Sequence, residues 1–291
     1  MSFEIPGVLW RRDPEATELP LVFDSPHSGS SYPEDFQFCC PLDVLRMAED
    51  TYVDELYSAA PALGATLIGA VFPRSYLDAN RAVDDLDSAL IDGTWPSPLA
   101  PSHKTRSGLG LVRRVARPGI PIYDRKLRVD EILARLERCH IPYHRVLDET
   151  CQRVHRKFGV VWHVNCHSMP SQRGSAKRGG HCADFVLGDR DGSTCEPEFT
   201  DFVGRELRGR GYTVRINEVY KGVEIVKRQG CPAMHRHSLQ IEVDRALYMD
   251  QKSLEKSSGF NQVQADITEL IDALKSFASA RLEVLQVENP A

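Results

Sequence analysis

The chain has 291 residues, 42% of them hydrophobic, which supplies one sizeable core, and α/β enzymes of this length commonly remain single domains. Its net charge of −5, with Lys and Arg scattered among acids, excludes the clustered basic face that nucleic acid requires. No stretch approaches the ~20 apolar residues that span a bilayer, and Met1 to Arg12 has no apolar core of signal-peptide length, so a soluble, cytoplasmic protein with no membrane partner is expected.

Leu19 to Phe23 is a short apolar run that predicts a strand. In the following Asp24-Ser25-Pro26-His27-Ser28-Gly29, Pro and Gly stop it and leave His27 in a loop. Pro41 to Ala60 carries helical spacing at Leu42, Leu45, Val53, Leu56 and Tyr57, with Pro41 suited to a first turn. Gly64 ends that helix, and Ala65 to Phe72 supplies a second strand, as in a parallel α/β unit. Asp84 to Pro121 is rich in Pro, Gly and Ser without periodicity, the composition of an active-site cover or a disordered segment. Val129 to Lys157 returns to helical spacing, where Pro142 should kink or divide the helix. A strand from Phe158 to Val164 precedes a loop from Ser168 to Ala183, whose Arg173, Lys177 and Arg178 could attract an acidic substrate. Strands at Asp184–Gly188, Tyr212–Ile216 and Ser238–Val243 and helices at Glu198–Arg210 and Gly259–Leu282 complete the chain. The eight cysteines form no C-x-x-C pair and read as reduced thiols. The expected architecture is a single α/β domain over 1–291, with a central mixed β-sheet flanked by helices and long loops at 84–121 and 168–183 near the site.

Polar groups at the carboxyl end of buried strands usually face a crevice. Two histidines in such places, His27 and His167, suggest a metal site, and catalytic zinc commonly takes three ligands from His and carboxylates. Asp50 and Asp54, one helical turn apart, are the candidate third ligands, although acids in a first turn also complement the helix dipole. His163, placed at the other side of the same strand as His167, is the decoy. Arg74, Asn80 and Arg81 lie just past a strand, where arginines could clamp a carboxylate and polarise a carbonyl, or form a salt-bridge cluster with Asp78, Asp84 and Asp85. Within Ser238 to Arg245, Gln240, Glu242 and Asp244 share one strand face, and Glu242 is either a general base or a partner of Arg245 or Arg236.

Taken together, Ser25-Pro26-His27-Ser28-Gly29, Arg74 through Asn80-Arg81, Pro142-Tyr143-His144, Cys166-His167-Ser168-Met169-Pro170 and Gln240-Ile241-Glu242 resemble the N-formylglutamate amidohydrolase family from about Leu19 to Met249. That family looks related to zinc carboxypeptidases and aspartoacylases. The resemblance implies a phosphorylase/hydrolase-like fold and metal-dependent hydrolysis of N-formyl-L-glutamate to formate and L-glutamate, a step of histidine degradation. It implies one divalent ion, Zn2+, held by His27, Asp50 and His167, with Glu242 as catalytic carboxylate. It also implies Arg74 as carbonyl polariser and Asn80 with Arg81 gripping the carboxylate of a small acidic N-acyl amino acid. Two departures stand out: Asn165 replaces the usual acid before His167, and Asn217 to Val223 differs from the usual Asn-x-Pro-Tyr-x-Gly-Gly. The alternatives are an amidase acting on another N-acyl amino acid or a peptide, and an inactive binding protein of the same fold. A ureohydrolase-like binuclear manganese enzyme would need Asp-rich strand ends that the sequence lacks.

Overall fold

The chain begins with an antiparallel hairpin, Ser2–Ile5 (β1) and Leu9–Arg12 (β2), which hydropathy alone does not predict. Leu21–Ser25 (β3) and Thr66–Ala70 (β4) are the first two parallel strands, with the short helices Leu42–Arg46 (α1) and Val53–Leu56 (α2) between them. Beyond β4 come Ile91–Asp92 (β5), the four-residue helix His103–Arg106 (α3), Val115–Arg117 (β6), Ile120–Pro121 (β7) and Leu127–Arg128 (β8). Val129–Arg135 (α4) and Ile141–Phe158 (α5) then lead into Val161–Met169 (β9). Phe185–Gly188 (β10), Pro197–Gly209 (α6), Val214–Ile216 (β11), Glu224–Gln229 (α7), Arg236–Asp244 (β12) and Phe260–Glu288 (α8) complete the order. This computed structural model describes residues 2–171 and 183–288, so Arg173, Lys177, Arg178 and Cys182 lie outside the described residues.

The eight-stranded sheet has the order β1-β2-β4-β3-β9-β12-β10-β11. Its centre, β4-β3-β9-β12, is parallel, while β2 joins β4 and β10 joins β12 antiparallel, which gives the mixed sheet expected from sequence. One face packs on α2, α6 and α8 through Phe23, Trp162, Val164, Leu239 and Ile241. The other packs on α4 and α5 through Val22, Ile68, Tyr143 and Leu147. β9 is buried along its whole length because it is covered on both faces. The seven described cysteines are free thiols. No helix among the described residues is long and apolar enough to cross a membrane.

Four elements differ from the sequence expectation. The helix expected over 41–60 is divided, because the Asp50 amide donates to the His27 carbonyl at 3.0 Å instead of continuing a helix, and Tyr52 turns left-handed at φ 66°. β9 runs to Met169, so His167 is a strand residue and not a loop residue. Pro142 does not break its helix: a π-helical turn, Leu136–His140, precedes it and joins α4 to α5. Residues 84–121 lack periodicity yet are pinned by polar contacts. Asp85 accepts from the Ser102 amide at 2.6 Å and from the Thr105 hydroxyl, and its own carbonyl accepts from the Leu111 amide at 2.9 Å.

Candidate active site

In a parallel pair, residues in register point to the same side, so β3, β9 and β12 lay one polar row across the sheet. Asp24 pairs with Asn165, and His167 with Glu242. His163 shares that face with His167, correcting its placement on the other side, and its role is internal. Its Nε2 meets Asp24 Oδ1 at 2.8 Å and its Nδ1 meets Ser238 Oγ at 2.7 Å. Asp24 also accepts from Asn165 Nδ2 at 2.8 Å and Tyr143 at 2.7 Å. Burial opposes ionisation of Asp24, but His163, Tyr143 and Asn165 outweigh it and hold the carboxyl below its ordinary range.

At the carboxyl end of this row three donor atoms converge. His27 Nδ1 and His167 Nδ1 are 3.1 Å apart, and Asp50 Oδ2 lies 3.4 Å and 3.0 Å from them respectively. All three residues are buried and form a group able to hold a metal ion. Each imidazole is fixed by its other nitrogen: His27 Nε2 donates to Asp78 Oδ1 at 2.7 Å, and His167 Nε2 to Asn165 Oδ1 at 2.7 Å. Those bonds turn both Nδ1 lone pairs inward beside a carboxylate, an arrangement that suits a cation. The third member of the cluster is Asp50 and not Asp54, whose backbone amide instead donates to Ser28 Oγ at 3.1 Å.

His27 reaches this point because its loop hugs the end of β4. A Cβ on Gly29 would stand 2.4 Å from the Phe72 carbonyl, so only glycine allows the approach.

Arg74 donates to Asp78 Oδ2 at 3.0 Å and to Asp50 Oδ1 at 3.4 Å, combining the salt-bridge cluster with a place on the pocket wall. Although burial opposes it, Asp78 and Asp50 hold Arg74 more firmly protonated than a free arginine. Burial likewise opposes ionisation of Asp50 and Asp78, yet Arg74 and the histidines hold both well below the ordinary carboxylate range. Asp50 also accepts from Arg245 at 2.8 Å. Glu242 moves the other way: burial raises it and Asp50 adds to this, against His167, Arg74 and Arg245. A buried carboxyl with a raised pKa beside a candidate metal cluster is suited to accept and return a proton. Gln240 Nε2 donates to its Oε1 at 3.0 Å.

His27, Arg74, His167, Gln240, Glu242 and Arg245 line a pocket of about 540 Å³ together with Asn80 and Arg81. The Asn80 carbonyl is committed to the Ile225 amide at 2.9 Å, leaving its amide nitrogen beside His167 Nε2 at 3.1 Å. Arg81 pairs with Asp85 at 3.4 Å. His140 and His144 donate to the carbonyls of Arg81 and Ala79 at 2.9 and 2.8 Å, steadying this stretch from α5. Sequence reasoning missed Lys104 and Arg113 on the wall and the Asp24 network beneath it. The loop 217–223 forms another wall, packed so closely on β10 that a Cβ on Gly188 would stand 2.7 Å from the Lys221 backbone.

A family model described as N-formylglutamate amidohydrolase matches residues 19–249. N-formylglutamate deformylases of Pseudomonas aeruginosa and Pseudomonas putida are each 26% identical, over 90% and 91% of this chain and 95% and 96% of their own. The crystal structure of N-formylglutamate amidohydrolase from Ralstonia eutropha JMP134 is 47% identical, with TM-score 0.91 over 94% of this chain and 99% of that one. A protein of Agrobacterium tumefaciens, 20% identical with TM-score 0.63 over 90% and 92%, shares the fold.

Proposed function

The chain belongs to the N-formylglutamate amidohydrolase family, and from that premise we propose that it hydrolyses N-formyl-L-glutamate to formate and L-glutamate, a step of histidine degradation, with one divalent ion. The observation that carries the proposal is the convergence of His27 Nδ1, His167 Nδ1 and Asp50 Oδ2 beside Glu242, at the floor of the pocket. Two imidazoles and a carboxylate fit zinc, and also iron, cobalt or manganese. When bound, the ion supplies Lewis acidity toward the amide carbonyl and toward water.

The protein's own groups do the rest. Glu242 takes the proton of the attacking water and returns it to the departing amine. Arg74 donates to the carbonyl oxygen as negative charge develops there. Arg81 and the Asn80 amide hold a substrate carboxylate. The Asp24–Asn165 pair and Asp78 keep the two imidazoles in the tautomer that leaves Nδ1 open.

Formate release from N-formyl-L-glutamate tests the proposal, measured before and after chelation and zinc return, with N-acetylglutamate and N-formylaspartate alongside. Activity that vanishes with chelation and returns with zinc supports it. Turnover of N-acetylglutamate in preference to the formyl substrate would favour a second reading, an amidase for another N-acyl amino acid, to which the divergent 217–223 wall lends weight.

A further inference from the structure

The cations around the pocket outnumber their partners in a specific way. Arg74 is matched by Asp78 and Asp50, Arg245 by Asp50, and Arg81 by Asp85. Arg113, Lys104 and the solvent-exposed Arg117 remain. Arg113 is 9% exposed and among the described residues pairs with Asp78 alone, at 3.6 Å, whose oxygens are already engaged by His27 and Arg74. Its Nε is buried with no hydrogen-bond partner among the described residues. Lys104 stands at the pocket mouth with no carboxylate partner among the described residues, its Nζ 5.4 Å from the centre of the Tyr220 ring.

A buried guanidinium with a long ion pair to a shared carboxylate and an unpartnered Nε is costly unless a ligand completes it. Burial and the neighbouring Arg74 push the Arg113 guanidinium down to about 9, with Asp78 opposing them. Both residues are held where they are by the insertion between β4 and α4. Asp85 caps the start of α3 and so places Lys104, while the Asp78 amide donates to the Leu111 carbonyl at 2.8 Å and so places Arg113.

We propose that Arg113 and Lys104 form the subsite for the side-chain carboxylate of the substrate, which makes the pocket selective for N-acyl derivatives of dicarboxylic amino acids over their neutral amides. The inference rests on the amidohydrolase reading and adds the residues that choose the amino acid. A site built to pair with a charged group rejects the isosteric neutral ligand because its own cations are left unpaired.

The test compares kcat/KM for N-formyl-L-glutamate and N-formyl-L-glutamine in the zinc-loaded wild type and in Arg113→Met, Lys104→Met and Lys104→Arg. In parallel, thermal stabilisation by glutarate and by its monoamide is measured on the same proteins. Wild type should favour the glutamate derivative by roughly 100-fold, in line with a charge-assisted pair. Each Met variant should lower the glutamate-to-glutamine ratio roughly tenfold or more, and Lys104→Arg should retain it. Should Arg113→Met fail to fold, the Lys104 variants decide. Equal use of both substrates by wild type, or equal loss of both in the variants, overturns the proposal. No formate from any N-formyl amino acid would sink the amidohydrolase reading instead. Stabilisation by glutarate that exceeds the monoamide's and is lost in Lys104→Met would still support the subsite, and its absence would overturn that too.

Discussion

Glu242 and Asn165 are the two residues whose replacement separates chemistry from architecture. Glu242→Gln keeps the shape and the bond from Gln240 but removes the proton acceptor. Metal content measured by atomic absorption should stay at the wild-type level while turnover falls by about 100-fold or more; retained turnover would remove Glu242 from the role of base. Asn165→Asp would restore the acid usual before His167, and a carboxylate there would by itself raise the basicity of the imidazole. The structure argues the opposite, because Asn165 Nδ2 touches Asp24 Oδ1 at 2.8 Å and the new carboxylate would face a buried carboxylate. Urea unfolding should show a loss of about 3 kcal/mol, with no tighter zinc binding in a chelator competition. His27, His167 and Glu242 were legible as candidates because strand alternation and a Pro-Gly stop place polar groups at strand ends, whereas Asp50 stood level with Asp54 on a helical face until the fold brought it to the histidines. Asp24, Lys104 and Arg113 were not legible, since a residue's neighbours across strands and its lack of a partner are properties of register and burial that one-dimensional spacing does not carry.

Among the elements, β4, β12 and the start of the terminal helix fall within two residues of their expected bounds, while β9 runs five residues further than expected. The helix over 41–60 does not form in one piece, because one backbone bond from Asp50 to His27 matters more than its apolar spacing. The π-helical turn before Pro142 likewise answers to a tertiary demand, since its last residue His140 and His144 of α5 together meet the carbonyls of Arg81 and Ala79. That placement has a pH signature. Burial pushes the His144 imidazole from 6.5 down to about 3, and His140 is lowered for the same reason. The unfolded chain gains the proton near pH 6.5 while folded His144 resists it until about pH 3, so its contribution is complete above this window and falls as pH drops through it. By about pH 5 the loss should be roughly 2 kcal/mol for this residue. Comparing unfolding of wild type and His144→Gln at both ends of that range checks the slope, which the variant should flatten. In the 217–223 wall, Val219 is 70% exposed at φ 64°, a conformation that β-branched residues avoid. Val219→Asn should stabilise by about 1 kcal/mol in urea unfolding; a loss would mean that packing sets this angle.

For the molecule as a whole, a metal held by the loop after β3, by β9 and by the 47–52 connection would tie three separate parts of the chain together. At about 100 times its Kd such an ion adds roughly 2.7 kcal/mol to stability, equivalent to about 4 °C in Tm for a domain of this size. Calorimetry before and after chelation should show that drop in the wild type and little change in His27→Ala; equal scans with and without metal would argue against a site that bridges these segments.

The two halves of the pocket have different owners. Glu242 and the cluster of His27, Asp50 and His167 belong to the sheet and the segments that touch it, where any shift disturbs a close-packed interior. Lys104 and Arg113 belong to the segment between β4 and α4, which is positioned on the pocket side by Asp78 and Asp85 and anchored in the core by Leu86, Leu90, Leu111, Val112 and Ile122. Exchanging that segment while keeping its anchors would recombine one hydrolytic centre with a new preference for amino acid, so selectivity in this architecture is free to evolve, or to be engineered, at a different pace from catalysis.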